Sequence, residues 1–194
     1  MKSEKKSPDI ISRRGINRRD FLATGVLLAA ASLFPVNAVA GVSKIFSAER
    51  ALHFYNTHTD ERINAVYWSR GAYVPQALAD INFILRDYRT GEIKDIDTQL
   101  LDLLFTLHRE LESTSPFHII SGYRSQETNS LLRIMSNGVA RHSLHIDGKA
   151  IDIRLPGFEL KTLHRAAVDL QMGGVGYYPS SDFVHVDVGR IRSW

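Results

Sequence analysis

Ser143-Leu144-His145-Ile146-Asp147-Gly148-Lys149-Ala150-Ile151-Asp152 is the stretch of sequence that decides the fold. After Gly148 the sequence alternates between apolar and other residues, as a half-buried strand does. Ile151 and Ile153 share the apolar face, which we expect to meet the core. Because successive strand side chains point to opposite faces, Asp152 must then point away from the core.

A second stretch, Phe183-Val184-His185-Val186-Asp187, shows the same alternation. Val184 and Val186 form its apolar face, and His185 and Asp187 fall on the other face. The two stretches therefore each present polar, chemically active side chains on the side of a strand that does not enter the core.

These side chains predict a metal site if the two strands are neighbours in one sheet. Asp152 and His185 then lie on the same side of the sheet, and the turn at Gly148 delivers His145 to them. Two neutral imidazoles and one carboxylate, with a fourth position left to water, form a catalytic zinc site rather than a closed structural one. Zinc lowers the pKa of its water towards about 7, so this water is the expected nucleophile.

Two absences from the sequence narrow the chemistry further. The chain has no cysteine, so disulfides, thiol nucleophiles and cysteine-bound zinc are excluded. It also lacks a His-Glu-x-x-His pattern, which excludes the common helical arrangement of zinc proteases. Any metal must be held by histidines and carboxylates.

The charge of the chain is concentrated at its start. Residues 1–40 contain 7 Lys/Arg and 3 Asp/Glu, which leaves 17 basic and 18 acidic residues in the remainder. A nucleic-acid-binding domain needs its basic excess on the folded part. We therefore expect no nucleic-acid partner.

Residues 1–40 have the pattern of an export signal. Arg18 and Arg19 precede an apolar stretch, Phe21 to Phe34, and the small residues Ala38-Val39-Ala40 follow. The paired arginines resemble the twin-arginine type of signal peptide. The stretch is shorter than the roughly 20 apolar residues of a membrane span. We expect cleavage after Ala40, a periplasmic domain at 41–194 that carries the predicted zinc site, and no stable membrane span. Without cleavage this domain would stay tethered to the membrane.

The remaining patterns predict a single α+β domain, in which a small antiparallel sheet is flanked by helices. Helical spacing covers residues 78–88, 97–111, 126–135 and 159–171. Strand patterns cover residues 51–57, 62–68, 117–121, 149–155 and 183–188, and the first two form a predicted hairpin. The glycines at 173, 174 and 176 are interpreted as a tight bend.

The two motifs together resemble the double motif of the zinc D-alanyl-D-alanine peptidases, which share a fold with lysostaphin-type enzymes and the hedgehog signalling domain. Residues 51–194 are similar to a narrower group, the murein endopeptidase K group of Gram-negative bacteria, including the stretch 173–179 and Trp194. The resemblance implies a sheet that carries one Zn²⁺ in a cleft. Its ligands would be His145, Asp152 and His185.

The resemblance also implies three further site residues. Ser121-Gly122-Tyr123-Arg124-Ser125 is similar to the family segment that supplies a substrate-binding arginine, here Arg124. Its planar fork suits the free carboxylates of peptidoglycan stem peptides. In the wider family an acidic residue three positions before the last ligand acts as general base, which corresponds to Asp182. Strand alternation instead places Asp187 beside His185, where it could orient the ring or act as base.

The activity implied by the resemblance is hydrolysis of peptidoglycan cross-links, either D-alanyl-diaminopimelate or diaminopimelyl-diaminopimelate. Two alternatives stay open. A carboxypeptidase that trims terminal D-alanine would use the same motifs, because loops rather than motifs set the length of the cleft. A wall-binding module that keeps zinc without activity would also retain the ligands.

Overall fold

The computed structural model describes residues 49–135 and 140–194, all within one unit of the chain, Phe46–Trp194. The predicted signal peptide, residues 1–40, lies outside the described residues. No helix in the described ranges is long and apolar enough to cross a membrane.

One mixed sheet organises these residues. Its eight strands are β1 Arg50–Asn56, β2 Arg62–Ser69, β3 Ala72–Tyr73, β4 Phe117–Ser121, β5 Ala150–Arg154, β6 Gly174–Tyr178, β7 Phe183–Asp187 and β8 Arg192–Ser193. They lie in the order β3-β2-β1-β4-β5-β7-β6-β8. The β1–β4 and β6–β8 pairs are parallel and the others antiparallel. The α+β class is confirmed, but the expected small antiparallel sheet is wrong.

Parallel pairing explains why the sheet is larger than expected. The β1–β2 hairpin forms as predicted, with Phe54 opposite Ile63. The free edge of β1 then pairs with β4, where Phe54 lies beside Phe117 and joins the hairpin to the strands of the site. Parallel strands are joined by a long connection rather than a short turn, so the sequence between them contains no local pattern that predicts their pairing.

Within the described residues, four helices accompany the sheet: α1 Pro75–Ile84, α2 Thr98–Glu110, α3 Gln126–Met135 and α4 Leu160–Asp169. Asp97 caps α2, because its side chain accepts a hydrogen bond from the Gln99 amide. Buried residues of α1, α2 and α4 form one core cluster with the apolar face of the sheet, including Ile151 and Val184. The predicted inward faces of β5 and β7 are therefore correct.

The first helix is shorter than the helical spacing indicated. It ends at Ile84, and the Asp87 amide and carbonyl then bond to Glu92 and Gly91 across a turn. Gly91 has a φ of +74°, a conformation that favours glycine and closes this turn. Tyr88, expected to continue the apolar face of the helix, instead lies in the turn.

The glycine-rich stretch also differs from its interpretation as a tight bend. Gly174 and Gly176 belong to strand β6, which pairs along its whole length with β7. A Cβ atom at Gly176 would lie 2.8 Å from ring atoms of Trp194 and Tyr178. The glycine therefore leaves room for aromatic side chains over the strand.

Gly148 fixes the turn that leads into β5. Its φ is +68°, and a Cβ atom there would overlap the carbonyl oxygen of Asp95. Its own carbonyl accepts a hydrogen bond of 2.9 Å from the Asp97 amide, at the start of α2. The turn that carries His145 is thus held against the N-terminus of a core helix.

We expect Gly148→Ala to lower the free energy of unfolding by about 2 to 4 kcal/mol, since it combines an unfavourable φ with an overlap against backbone. Gly157→Ala is the matched control, because Gly157 has a φ of +89° with open space around it. It should cost only about 1 kcal/mol. Urea unfolding followed by circular dichroism measures both values, and equal losses would contradict the proposed overlap.

Candidate metal centre and cleft

The register between β5 and β7 brings together two of the three predicted ligands. Asp152 lies directly opposite His185 in this antiparallel pair, and both side chains leave the sheet on the face away from the core. The Asp152 carboxylate and the His185 ring are 2.8 Å apart, measured from Oδ1 to Nδ1. Strand alternation alone had predicted this face for both residues.

His145 reaches the same point from the turn before β5. Its Nε2 atom lies 3.2 Å from Oδ1 of Asp152 and 3.2 Å from Nδ1 of His185. One ligand atom from each of the three residues lies within 4.8 Å of the others. His145 and Asp152 are buried and His185 is partly exposed, so the cluster is open on one side.

Hydrogen bonds on the outer nitrogens set the tautomers of the two rings. The carbonyl of Gly122 lies 2.7 Å from Nδ1 of His145 and accepts its proton. A carboxylate oxygen of Asp187 lies 3.0 Å from Nε2 of His185 and accepts a proton there. In the neutral rings, the inner nitrogens therefore present lone pairs.

Three lone-pair atoms then face one another without a hydrogen between them. The inner nitrogens of His145 and His185 and the Asp152 oxygen are all acceptors in this state. Their mutual separations of 2.8 to 3.2 Å are stable only with a positive charge at the centre. A borderline-soft cation that prefers nitrogen and carboxylate ligands, such as Zn²⁺, fits this donor set.

The ionisation of the cluster agrees with this charge requirement. Burial lowers the pKa of His145, which keeps that ring neutral. Burial opposes ionisation of Asp152, yet its contacts with both histidines outweigh this and lower its pKa. Burial also opposes a charged His185, but hydrogen bonds to Asp152 and Asp187 raise its pKa. A proton and a metal ion therefore compete for the same nitrogen.

Asp187 supports His185 from behind. It is fully buried and accepts hydrogen bonds from the Gly174 and Gly189 amides and from the guanidinium of Arg192. Burial opposes its ionisation, but hydrogen bonds from His185, Arg192 and the Gly189 amide lower its pKa. Because its oxygens are occupied by these donors, the contacts favour the orienting role of Asp187 over the role of base.

Arg124, a predicted site residue, lies beside the cluster. Its guanidinium donates to the outer oxygen of Asp152 at 2.8 Å and to the Ser121 hydroxyl at 3.2 Å. Burial lowers the pKa of Arg124, and the nearby charge of Arg89 adds to this effect, while Asp152 opposes it. Arg124 thus orients Asp152 while lining the cleft; substrate binding by it stays a prediction.

Asp182 lies in the turn between a 3-10 segment, Pro179–Ser181, and β7. The alternation of β7 therefore does not decide where its side chain points. Its φ is +53°, and its exposed carboxylate pairs with Arg154 at 2.9 Å. The structure thus places this predicted base beside the site strands but bonded to an arginine, and its role stays a prediction.

The cluster forms the floor of an open cleft of about 620 Å³. Aromatic residues that spacing did not single out form its walls. On one side the rings of His58 and Tyr88 are stacked 3.8 Å apart; on the other, Trp194 lies 5.4 Å from His185 and donates to the hydroxyl of Tyr178. His142, the histidine nearest to the first motif, also lines the cleft.

The sequence offered little signal for these walls. His58 follows a strand, Tyr88 continues a helical spacing, and Trp194 follows the second motif without an alternating pattern that would direct it to the cleft. Their grouping depends on the turn after α1 and on the β6–β8 pair, neither of which has a local pattern. Only the folded chain brings them together.

Two imidazoles and a carboxylate at the floor of an open cleft are the ligand set of a catalytic rather than a structural zinc site, as in metal-dependent hydrolases. Residues 44–194 match the family model described as "Peptidoglycan L,D-endopeptidase MepK". The chain belongs to this family. The predicted class, a murein endopeptidase among the zinc D-alanyl-D-alanine peptidases, is thereby confirmed.

Individual relatives support the same assignment over most of their length. The peptidoglycan L,D-endopeptidase MepK of Escherichia coli strain K12 is 42% identical over 178 residues, which cover 92% of this chain and 97% of the relative. The protein of that name from Shigella flexneri shows the same figures. A probable peptidoglycan L,D-endopeptidase MepK of Haemophilus influenzae is 36% identical over 92% of this chain and 95% of its own length.

We expect Asp187→Asn to weaken Zn²⁺ binding about 10- to 100-fold. The Asp187 carboxylate accepts a hydrogen bond from Nε2 of His185 and so orients the ring, and a neutral amide accepts this bond less strongly. The affinity is measured by competition with a chromogenic chelator. Asp169→Asn is the matched control, since Asp169 is an exposed partner of Arg165 outside the cleft. Unchanged affinity in Asp187→Asn would contradict the orienting role.

Proposed function

We propose that the chain hydrolyses peptide cross-links of peptidoglycan at one Zn²⁺ held by His145, Asp152 and His185. The observation that carries this proposal is that one ligand atom from each of these three residues lies within 4.8 Å of the others. The chain that places them there belongs to a family of murein endopeptidases. When bound, zinc supplies a Lewis acid that polarises the scissile carbonyl and lets water act as nucleophile at neutral pH.

The chain's own residues then have distinct tasks. Gly122 and Asp187 hold the two imidazoles in their ligand tautomers, and Arg124 holds the carboxylate of Asp152. Asp182, at the position of the family base, would accept a proton from the attacking water and pass it to the leaving amine. For this it must exchange its bond to Arg154 for one to water, and its exposed position in a turn permits that exchange.

The preferred cross-link follows from the names of the relatives. They are called L,D-endopeptidases, which favours the diaminopimelyl-diaminopimelate bridge over D-alanyl-diaminopimelate. The open cleft supports an internal rather than a terminal cut, because aromatic walls extend on both sides of the metal ligands. Both amino acids of the bridge then have surface to bind.

We further propose that residues 1–40 direct export by the twin-arginine route and that residues 41–194 act in the periplasm. Support comes from Arg18 and Arg19, the apolar stretch that follows, and the small residues ending at Ala40. The family match, which begins at residue 44, agrees with a separate leader. Peptidoglycan, the proposed substrate, lies in the same compartment.

The function is tested by incubating zinc-loaded protein with cross-linked muropeptide dimers and analysing the products by mass spectrometry. We expect dimers to become monomers, the reaction to stop with a chelator, and zinc to restore it. Release of D-alanine alone would indicate a carboxypeptidase, and zinc uptake without any product would leave the wall-binding module.

His145→Ala should abolish cleavage, because it removes a ligand from the buried side of the cluster. The fold should survive, since the open site is not part of the core cluster, and thermal unfolding checks this. His53→Ala is the control: His53 stacks on His108 and does not line the cleft. Cleavage by His145→Ala near the parent rate would contradict the ligand assignment.

A further inference from the structure

Three arginines line the cleft, Arg89, Arg124 and Arg192. Arg89 lies in the turn after α1, among the residues that line the same cavity as the proposed ligands. The charges of the Arg89 and Arg124 guanidinium groups are close enough to repel each other. The proposed catalytic chemistry assigns no role to Arg89.

Buried hydrogen bonds hold the turn that carries Arg89. The Asp87 side chain is 2% exposed and accepts bonds from the backbone amides of Arg89, at 3.0 Å, and Ser125, at 2.9 Å. Burial opposes the ionisation of Asp87, but bonds from Thr128 and Ser125 outweigh it and lower the pKa to about 2. The same carboxylate therefore fixes the turn of Arg89 to the residue that follows Arg124.

Stacked rings also fix the side chain of Arg89. Its guanidinium lies over the Tyr88 ring, 4.3 Å from the centroid, and Tyr88 stacks in turn on His58. His58 is anchored by a contact of 3.0 Å between its Nε2 atom and the Ile120 carbonyl. Because the Arg89 side chain is already held on these rings, it loses little conformational entropy when it binds an anion.

Arg89 differs from the other arginines around the site in its partners. Arg124, Arg154 and Arg192 each pair with an aspartate, at 2.7 to 2.9 Å. No carboxylate within residues 49–135 and 140–194 forms an ion pair with the Arg89 side chain. The cleft thus holds a positioned cation whose fork of donors is open to a ligand.

We propose that Arg89 is a specificity-determining residue that binds a second carboxylate of the stem peptide, distinct from the one assigned to Arg124. This inference rests on the proposed function. Cross-linked stem peptides carry more than one free carboxylate, and a planar guanidinium binds a carboxylate through two parallel hydrogen bonds. Arg124 and Arg89 together would then favour a stem peptide whose two free carboxylates are spaced to contact both guanidinium groups.

The test measures binding of tetrapeptide stems, L-Ala-D-Glu-diaminopimelate-D-Ala, to the zinc-loaded full chain by calorimetry. One peptide has all carboxylates free, and in each of the others a single carboxylate is amidated. We expect Arg89→Ala to raise the Kd of the free peptide about tenfold, as expected for the loss of a charge-assisted arginine–carboxylate contact at a solvent-exposed site. For the peptide in which the partner carboxylate of Arg89 is amidated, parent and variant should have equal Kd values. This peptide therefore identifies the carboxylate that Arg89 binds.

Arg109→Ala is the matched control, because Arg109 is also exposed over an aromatic ring, that of Phe105, but does not line the cleft. With cross-linked dimers, Arg89→Ala should raise KM and leave kcat within about twofold, as expected for uniform binding. Equal Kd values for parent and Arg89→Ala, or an effect that no single amidation removes, would overturn the inference. If the parent binds stems but cleaves no dimer, the proposed function fails while this test still decides the role of Arg89.

Discussion

The antiparallel register of β5 and β7 is the constraint on which the site depends. It places Asp152 opposite His185, and the same register directs Ile151 and Val186 into the core. A shift of one residue would turn the ligands inward and the core residues outward, so hydrophobic burial itself enforces the geometry of the site. The stability of the sheet and the position of the proposed ligands therefore have one cause.

A second set of groups converts this geometry into a site for a cation. The Gly122 carbonyl and the Asp187 carboxylate take the outer protons of the two imidazoles, which leaves the inner nitrogens as acceptors. Asp187 can do this while fully buried because backbone amides and Arg192 compensate its charge. Metal affinity in such sites depends on these outer partners as well as on the ligands themselves.

Local sequence patterns were sufficient to predict the proposed metal ligands at the floor of the cleft, but not the aromatic residues that form its walls. Period-two alternation predicted which faces of β5 and β7 carry Asp152 and His185, since that periodicity is a property of one strand. The parallel β1–β4 and β6–β8 pairs leave no such trace, and the small antiparallel sheet expected was therefore wrong. Tyr88 fitted a helical spacing, yet the helix ends at Ile84, and the turn held by the backbone bonds of Asp87 places Tyr88 at the cleft.

X-ray absorption at the zinc edge of the metal-loaded protein tests the central claim most directly. The account predicts two nitrogen ligands and carboxylate and water oxygens at roughly 2.0 to 2.2 Å, and the loss of one nitrogen in either His145→Ala or His185→Ala. A zinc ion whose ligand shell is unchanged in both variants would contradict the account. The proximity of His145, Asp152 and His185 would then not be due to metal binding.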